Sequence, residues 1–416
     1  MRTPKRQRQG QEHAARPSRY GPAPRYAAER HWSRGTRQAL VAALRSGQAS
    51  GEGEVGSAVA RCDQGELVEL AVLEGIAGPT LEKLGQFLLP AHQLTLSAAA
   101  RREASRHLSY LGLLRRCGGA LEAAGLTWVV LKGPVLAELC YGRTVRGYTD
   151  LDLMVAPGQL QEAVSVLQGV GASLAEPVWP ARAKDAKGEL TLKFPGEGEV
   201  DLHWHLIYLG SARDRWKIST DELLGRRRKL KLGPVEVWAL DQVDFAAHIA
   251  LHAMFNGAQQ LRRMLDIERT LANQPPEWGT LVERCRAWRV GLPVGVMLNR
   301  ARVTLGAAVP DGIVWELTDG WLERLMMGEL SRWVPAGPLP AGRSFTNGMI
   351  RSLRDGFAPS LAQFTVESWS ALETLLRPTT KTMQGGNPAG GSAGAGEHAA
   401  YARYLQVVAG TDRYGH

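Results

Sequence analysis

Asp150 and Asp152 stand one residue apart in GYTDLDLMV (residues 147–155), a run otherwise suited to burial. In an extended strand residues i and i+2 share a face, so the two carboxylates project together while Leu151 and Leu153 pack behind them. Like charges held side by side repel, and a buried carboxylate without a partner is costly. A divalent cation or a basic group between them relieves both. For an isolated Asp-x-Asp the plainer alternative is an exposed edge strand balanced by surface arginines. EVDLHWHL (199–206) repeats the alternation, with Asp201, His203 and His205 on one face and Val200, Leu202, Trp204 and Leu206 on the other. A third carboxylate on a neighbouring strand completes the ligand set of a two-metal site. There, ions about 3.5–4 Å apart clamp the attacking and leaving oxygens of an in-line displacement at phosphorus. Asp201 is then also the candidate base for an acceptor hydroxyl. Oxygen-only ligands favour Mg2+, with Mn2+ as a substitute.

The elements that must hold these groups can be read from the same region. LTWVVLKG (126–133) is a β-branched strand ending at Gly133, and PVLAELCYG (134–142) restarts as a helix with Pro134 in its first turn. Such a turn can face backbone N–H groups and a helix N-terminus toward a phosphate, with an ordinary strand-to-helix turn the plainer alternative. Lys132, Arg143 and Arg146 lie near it or on the way to Asp150, available to a polyphosphate. PGQLQEAVSVLQGVGA (157–172) is a further helix. GELTLKF, PGEGE and VDLHWHL read as a hairpin, and RRRKLKL-GP-VEVWAL as a second strand pair. Residues from Thr36 to about Gly125 carry helical spacing, including one long helix over 94–125. Helical spacing returns from Asp241 to roughly Arg377. The divisions expected are a disordered basic tail (1–36), an N-terminal helical region (37–125), a catalytic domain (126–240), a C-terminal helical region (241–378), a Gly-rich linker (379–396) and a C-terminal tail (397–416).

At 416 residues and 44% hydrophobic the chain can bury a substantial core. Residues 1–37 carry ten Arg or Lys against Glu12 and Glu29, so nearly all of the formal net charge of +9 sits in that tail. The charge therefore says little about the folded body. The tail lacks the aliphatics to offset its ordering entropy and lacks the apolar core of a secretory signal. No apolar run approaches the roughly 18–20 residues that span a bilayer. The four cysteines are scattered without a C-x-x-C pair, as in a reducing compartment. A soluble cytoplasmic protein is the expectation.

The order of VVLKG, CYGRTVRGYTDLDLMV and VDLHWHL resembles the nucleotidyltransferase superfamily of the DNA-polymerase-β type, and more narrowly its bacterial branch labelled uncharacterised nucleotidyltransferase. The similarity extends to LVELAVLEGIAGPTLEKL before these motifs and to DFAAHIALHAMF and LRRMLDIERTL after them, over about residues 40–320. The resemblance implies an α+β fold, a small mixed-sheet nucleotidyltransferase domain (polymerase-β-like palm) flanked by N- and C-terminal helical regions. It implies metal binding by Asp150, Asp152 and Asp201, base catalysis by Asp201 and nucleotide phosphate contact at Gly133. Lys132, Arg146 and His203 match recurrent positions and are grouped with the nucleotide-binding residues. His203 either orients a metal carboxylate or is a packed strand histidine. The implied reaction is Mg2+-dependent transfer of a nucleoside monophosphate from an NTP, with ATP the default donor, to an acceptor hydroxyl on a small molecule, peptide or protein.

One departure stands out. Much of the superfamily has Gly or Ser after the turn glycine, whereas this chain has Pro134, with neither hydroxyl nor N–H to give. It motivates one alternative, a non-catalytic nucleotide-binding module of the same fold. The basic tail and RRRKLKL motivate another, RNA 3′-end nucleotidyl transfer, although nucleic acid is not the favoured partner because the twelve tryptophans form no base-stacking ladder. His248 and His252, at i and i+4 on a helix, read as packed toward the catalytic domain rather than as a zinc pair. Asp266 reads as helix-surface pairing with Arg262 or Arg269, with contact to the nucleotide-binding domain the alternative.

Overall fold

The computed structural model describes residues 32–45, 52–142, 144–175, 187–208, 213, 216–255, 260–318, 360 and 395–411. Most of the basic tail, Arg143, the helical pattern beyond residue 318 and nearly all of the Gly-rich linker lie outside those residues. Seven strands form one mixed sheet: β1 (Trp128–Val130), β2 (Asp150–Val155), β3 (Ser173–Leu174), β4 (Glu189–Phe194), β5 (Gly198–His203), β6 (Arg228–Leu232) and β7 (Val235–Ala239). Their order is β3-β4-β5-β2-β1-β7-β6. β2 is therefore a central strand, and the edge-strand alternative for its two acids does not hold.

Both expected hairpins form, β4 with β5 and β6 with β7, each antiparallel. The non-local pairings are parallel, β2 with β5 and β1 with β7. The β2–β5 register sets Asp152 directly beside Asp201, and Leu151 and Leu153 beside Val200 and Leu202. The four aliphatic side chains are fully buried. Their face continues through Val130 and Trp128 on β1, which pair with Leu153 and Val155.

That apolar face packs on α5 (Pro90–Ala123), a 34-residue helix with proline in its first turn. The approach is close at Gly118, where a Cβ would lie 2.6 Å from the Trp128 ring. Gly125, at φ +72°, ends the helix run as its sequence position suggests. Of four shorter helices, α1 (Arg34–Leu44), α2 (Glu52–Ala60), α3 (Gln64–Leu73) and α4 (Ala77–Leu84), the last two pack on α5 and the first two pack against them. α1 begins three residues before the expected edge of the helical region, capped by the Ser33 hydroxyl accepting from Thr36 N–H.

After α6 (Leu160–Gly169) and the short helix α7 (Thr220–Gly225), the C-terminal helices follow β7. They are α8 (Gln242–Phe255), α9 (Leu261–Asn273), α10 (Trp278–Trp288), α11 (Gly291–Leu305) and α12 (Ile313–Glu316), with α13 (Ala395–Thr411) later in the chain. Among the described residues no helix is long and apolar enough to cross a membrane.

Candidate active site

The face of the sheet away from α5 carries the acids. Asp150, Asp152 and Asp201 each offer a carboxylate oxygen, all within 4.8 Å of one another. Among the described residues this is the one group of three or more metal-ligating side chains that converges in this way. Asp152 is 2% exposed. Its Oδ1 accepts from Lys132 Nζ and lies 3.1 Å from His203 Nε2. Its Oδ2 is buried and has no hydrogen-bond partner among the described residues. Buried oxygens are normally satisfied, so an unmet Oδ2 beside two further carboxylates suits a cation. The oxygen-only donor set suits Mg2+ or Mn2+.

The electrostatics follow from the packing. Burial by itself would raise the Asp152 carboxyl, but the charges of Lys132 and His203 outweigh it and hold Asp152 well below the ordinary range. Burial would likewise lower Lys132 and His203, yet their carboxylate neighbours raise both. For His203 the larger of these is Glu189, whose Oε2 lies 3.2 Å from Nδ1, a charge contact outside hydrogen-bond geometry. Asp201 lacks such a cation. Burial, with the charges of Asp152, Glu189 and Asp150, pushes it up to about 7, even though Thr191 Oγ1 donates to its Oδ1 at 2.7 Å.

These groups floor a cleft of about 350 Å³. Leu206 and Tyr208 beyond β5, and His248, Leu251, His252 and Phe255 on α8, form its wall. The two α8 histidines therefore face the catalytic sheet, with ring centroids 6.0 Å apart, and neither belongs to the converging ligand group. Burial, then the nearby cations, lowers both, His248 to about 3, so they present neutral rings.

Lys132 and Gly133 follow β1, where Gly133 adopts φ +54°. An added Cβ there would sit 3.4 Å from the Tyr148 ring, an ordinary contact, so the glycine is required by its backbone and not by crowding. Pro134 opens a short helical stretch whose main turn, Leu136–Tyr141, is π-helical. The N–H of Val135 is taken up by Lys132 C=O at 3.2 Å.

Arg146, expected among the nucleotide-binding residues, pairs with Asp266 on α9. Its Nε and Nη2 reach the two carboxylate oxygens at 2.7 and 2.9 Å, and Tyr141 Oη donates to Oδ1 at 2.8 Å. Asp266 is thus a buried contact between α9 and the catalytic domain, and surface pairing with Arg262 or Arg269 does not describe it. The loop leading into β2 is fastened on its other side as well. Gly147 N–H donates to Gly75 C=O at 2.9 Å, and the Tyr148 hydroxyl meets His107 Nδ1 at 2.9 Å. Both helical regions therefore hold the segment that delivers Asp150.

His205 does not join the site face. β5 ends at His203, and the Gly188 carbonyl accepts from both Trp204 and His205 N–H. Past the turn His205 is half-buried, its Nδ1 accepts from Ile207 N–H at 2.9 Å, and burial lowers it to about 3. Glu189 and Thr191 were missed as site residues. The hairpin held the signal, since the register puts Thr191 opposite Asp201 and Glu189 opposite His203.

A family model described as Uncharacterised nucleotidyltransferase matches residues 61–306. No curated protein sequence matches the chain. Among solved structures, the solution structure of the antibiotic-resistance factor ANT(2'')-Ia is similar at a TM-score of 0.29 and 11% identity, over 40% of this chain and 84% of that one. That likeness is too slight to bear on what this chain acts on.

Proposed function

The chain belongs to the uncharacterised nucleotidyltransferase family, and from that premise we propose that it moves a nucleoside monophosphate from an NTP to an acceptor hydroxyl, releasing pyrophosphate. The acceptor is a small molecule, a peptide or a protein. The observation that carries the reading is the convergence of Asp150, Asp152 and Asp201 within 4.8 Å, with Asp152 Oδ2 buried and unmet.

Asp150, Asp152 and Asp201 would hold the divalent metal, which when bound supplies charge neutralisation for the phosphoryl oxygens and lowers the barrier to in-line displacement. Asp201 takes the proton of the acceptor hydroxyl. Lys132 and His203 fix the rotamer of Asp152 by occupying Oδ1, which leaves Oδ2 directed to the cation. Gly133 lets the chain turn so that Lys132 reaches the acids. Arg146 acts as a positioning residue through Asp266. The α8 wall and Tyr208 close the cleft with neutral and aromatic groups, which limits water at the reacting phosphorus.

RNA 3′-end transfer gains no support from RRRKLKL. Arg226 is drawn to Asp244, and Arg228 donates to Leu240 C=O and Gln274. The test uses the four NTPs labelled at the α-phosphate, with Mg2+ or Mn2+ and candidate acceptors. The native chain is expected to transfer label. Asp150→Asn/Asp152→Asn should transfer none while unfolding as cooperatively as the native protein. Undiminished transfer by that variant refutes the proposal.

A further inference from the structure

Lys132 is buried at 7% exposure, with its ammonium between the two acids of β2. Nζ contacts Asp152 Oδ1 and lies 3.8 Å from Asp150 Oδ2. We infer that Lys132 is the second cation of this site: it holds the position between Asp150 and Asp152 that another divalent ion would otherwise take, so the cluster binds one ion and not two. The inference rests on the reading of the three aspartates as metal ligands and narrows it.

A carboxylate shared by two metal ions about 3.5–4 Å apart must offer an oxygen to each. Asp152 cannot do so here. Its Oδ1 already receives Lys132 Nζ and His203 Nε2, two donors for the two lone pairs of one oxygen. Only Oδ2 remains unmet. The charges agree with the geometry. Once a cation displaces the proton that Asp201 holds, three ionised aspartates against one ammonium leave two negative charges, which a single divalent ion cancels. Beside them His203 and Glu189 form their own pair. A second divalent ion would leave surplus positive charge against Asp152 and Lys132, the two groups of the cluster that are closed from water, at a desolvation cost. A lysine in that place also remains between turnovers, so it can hold the triphosphate by its charge with no further ion to bind.

The test uses Mn2+ alone as the probe, with bound ion counted by electron paramagnetic resonance and affinity measured by calorimetry on the full chain. The native protein should bind one Mn2+ per chain. Lys132→Met removes a positive charge from direct contact with the ligands, so Mn2+ should bind on the order of tenfold or more tightly, and a second ion should be accepted. Lys132→Arg should stay at one ion. If Lys132 only steadied Asp152, its removal would weaken Mn2+ binding or leave it unchanged, and either result overturns the inference. Two ions on the native chain overturn it as well. No Mn2+ on any form would instead defeat the metal-ligand reading beneath it. Should Lys132→Met fold only with metal present, its thermal midpoint must rise more with Mn2+ than that of the native protein, and an equal or smaller rise is a refutation.

Discussion

Asp266→Ala strips the partner from a guanidinium that has no access to water. The Arg146 and Asp266 side chains are 3% and 2% exposed, so solvent screening offers no discount. Removing one member of a buried ion pair costs about 3–5 kcal/mol, because the other charge stays behind unpaired. Tyr141 Oη loses its acceptor too, and Arg263 Nη1, 3.9 Å from Asp266 Oδ2, loses its nearest carboxylate in α9. Against a typical domain stability of about 5–15 kcal/mol this is a large fraction. The assay is urea unfolding followed by circular dichroism, with the midpoint expected to fall sharply for Asp266→Ala and for Arg146→Ala. Replacing the three hydrogen-bonded members, as Tyr141→Phe/Arg146→Met/Asp266→Leu, leaves only Arg263 without its more distant carboxylate and should recover most of the loss. A loss below about 1 kcal/mol for Asp266→Ala, or a triple variant no better than the single ones, would refute the argument. The triple variant also separates two roles for Arg146. As a positioning residue its loss leaves the NTP KM near native once stability returns, whereas direct nucleotide contact would keep the KM raised in a stable protein.

Stability should respond to pH through Asp201 and Glu103, both of which burial pushes up to about 7. A raised folded-state pKa means the folded chain holds a proton that the unfolded chain has released. The stabilisation is therefore full below about pH 4 and is lost as pH rises to about 7, by at most about 4 kcal/mol for Asp201. With EDTA the thermal midpoint should fall between pH 5 and 7.5. Saturating Mg2+ should remove the Asp201 share and leave that of Glu103, so identical slopes with and without the ion would contradict the metal site. Gly133→Ala places a side chain at φ +54° and should cost roughly 1–2 kcal/mol. Asn should be tolerated better than Ala, and a valine worst, with Mn2+ affinity and unfolding midpoint as the readouts. Equal stability for Gly, Ala and Val would show that the turn does not need its left-handed residue.

What was legible in the chain was local. The i, i+2 alternation of Asp150 with Asp152, and of Asp201 with His203, follows from strand geometry alone, and so do the two hairpins and the long helix closed by Gly125. The failures share a cause. His205 was assigned to the site face because alternation was carried past the point where Gly188 captures two successive N–H groups and ends the strand. A carbonyl 16 residues upstream sets that break, and no periodicity reports it.

Asp266 shows the same limit over a longer range. It sits in a helix rich in arginine, where ordinary surface pairs are plausible, and its partner Arg146 lies far upstream in a basic loop. Only the packing of α9 against the π-helical turn closes both away from water. The Asp152–Asp201 register is the hardest of all to read, since β2 and β5 pair in parallel with two other strands intervening along the chain. Yet its consequence was foreseeable from charge. Three carboxylates brought together on one face of a sheet cannot be a packing solution by themselves, because each added negative charge makes the next more costly. The fold meets part of that cost with Lys132 and His203. The part left over, at Asp201 and at Asp152 Oδ2, is the charge that the proposed cation would meet.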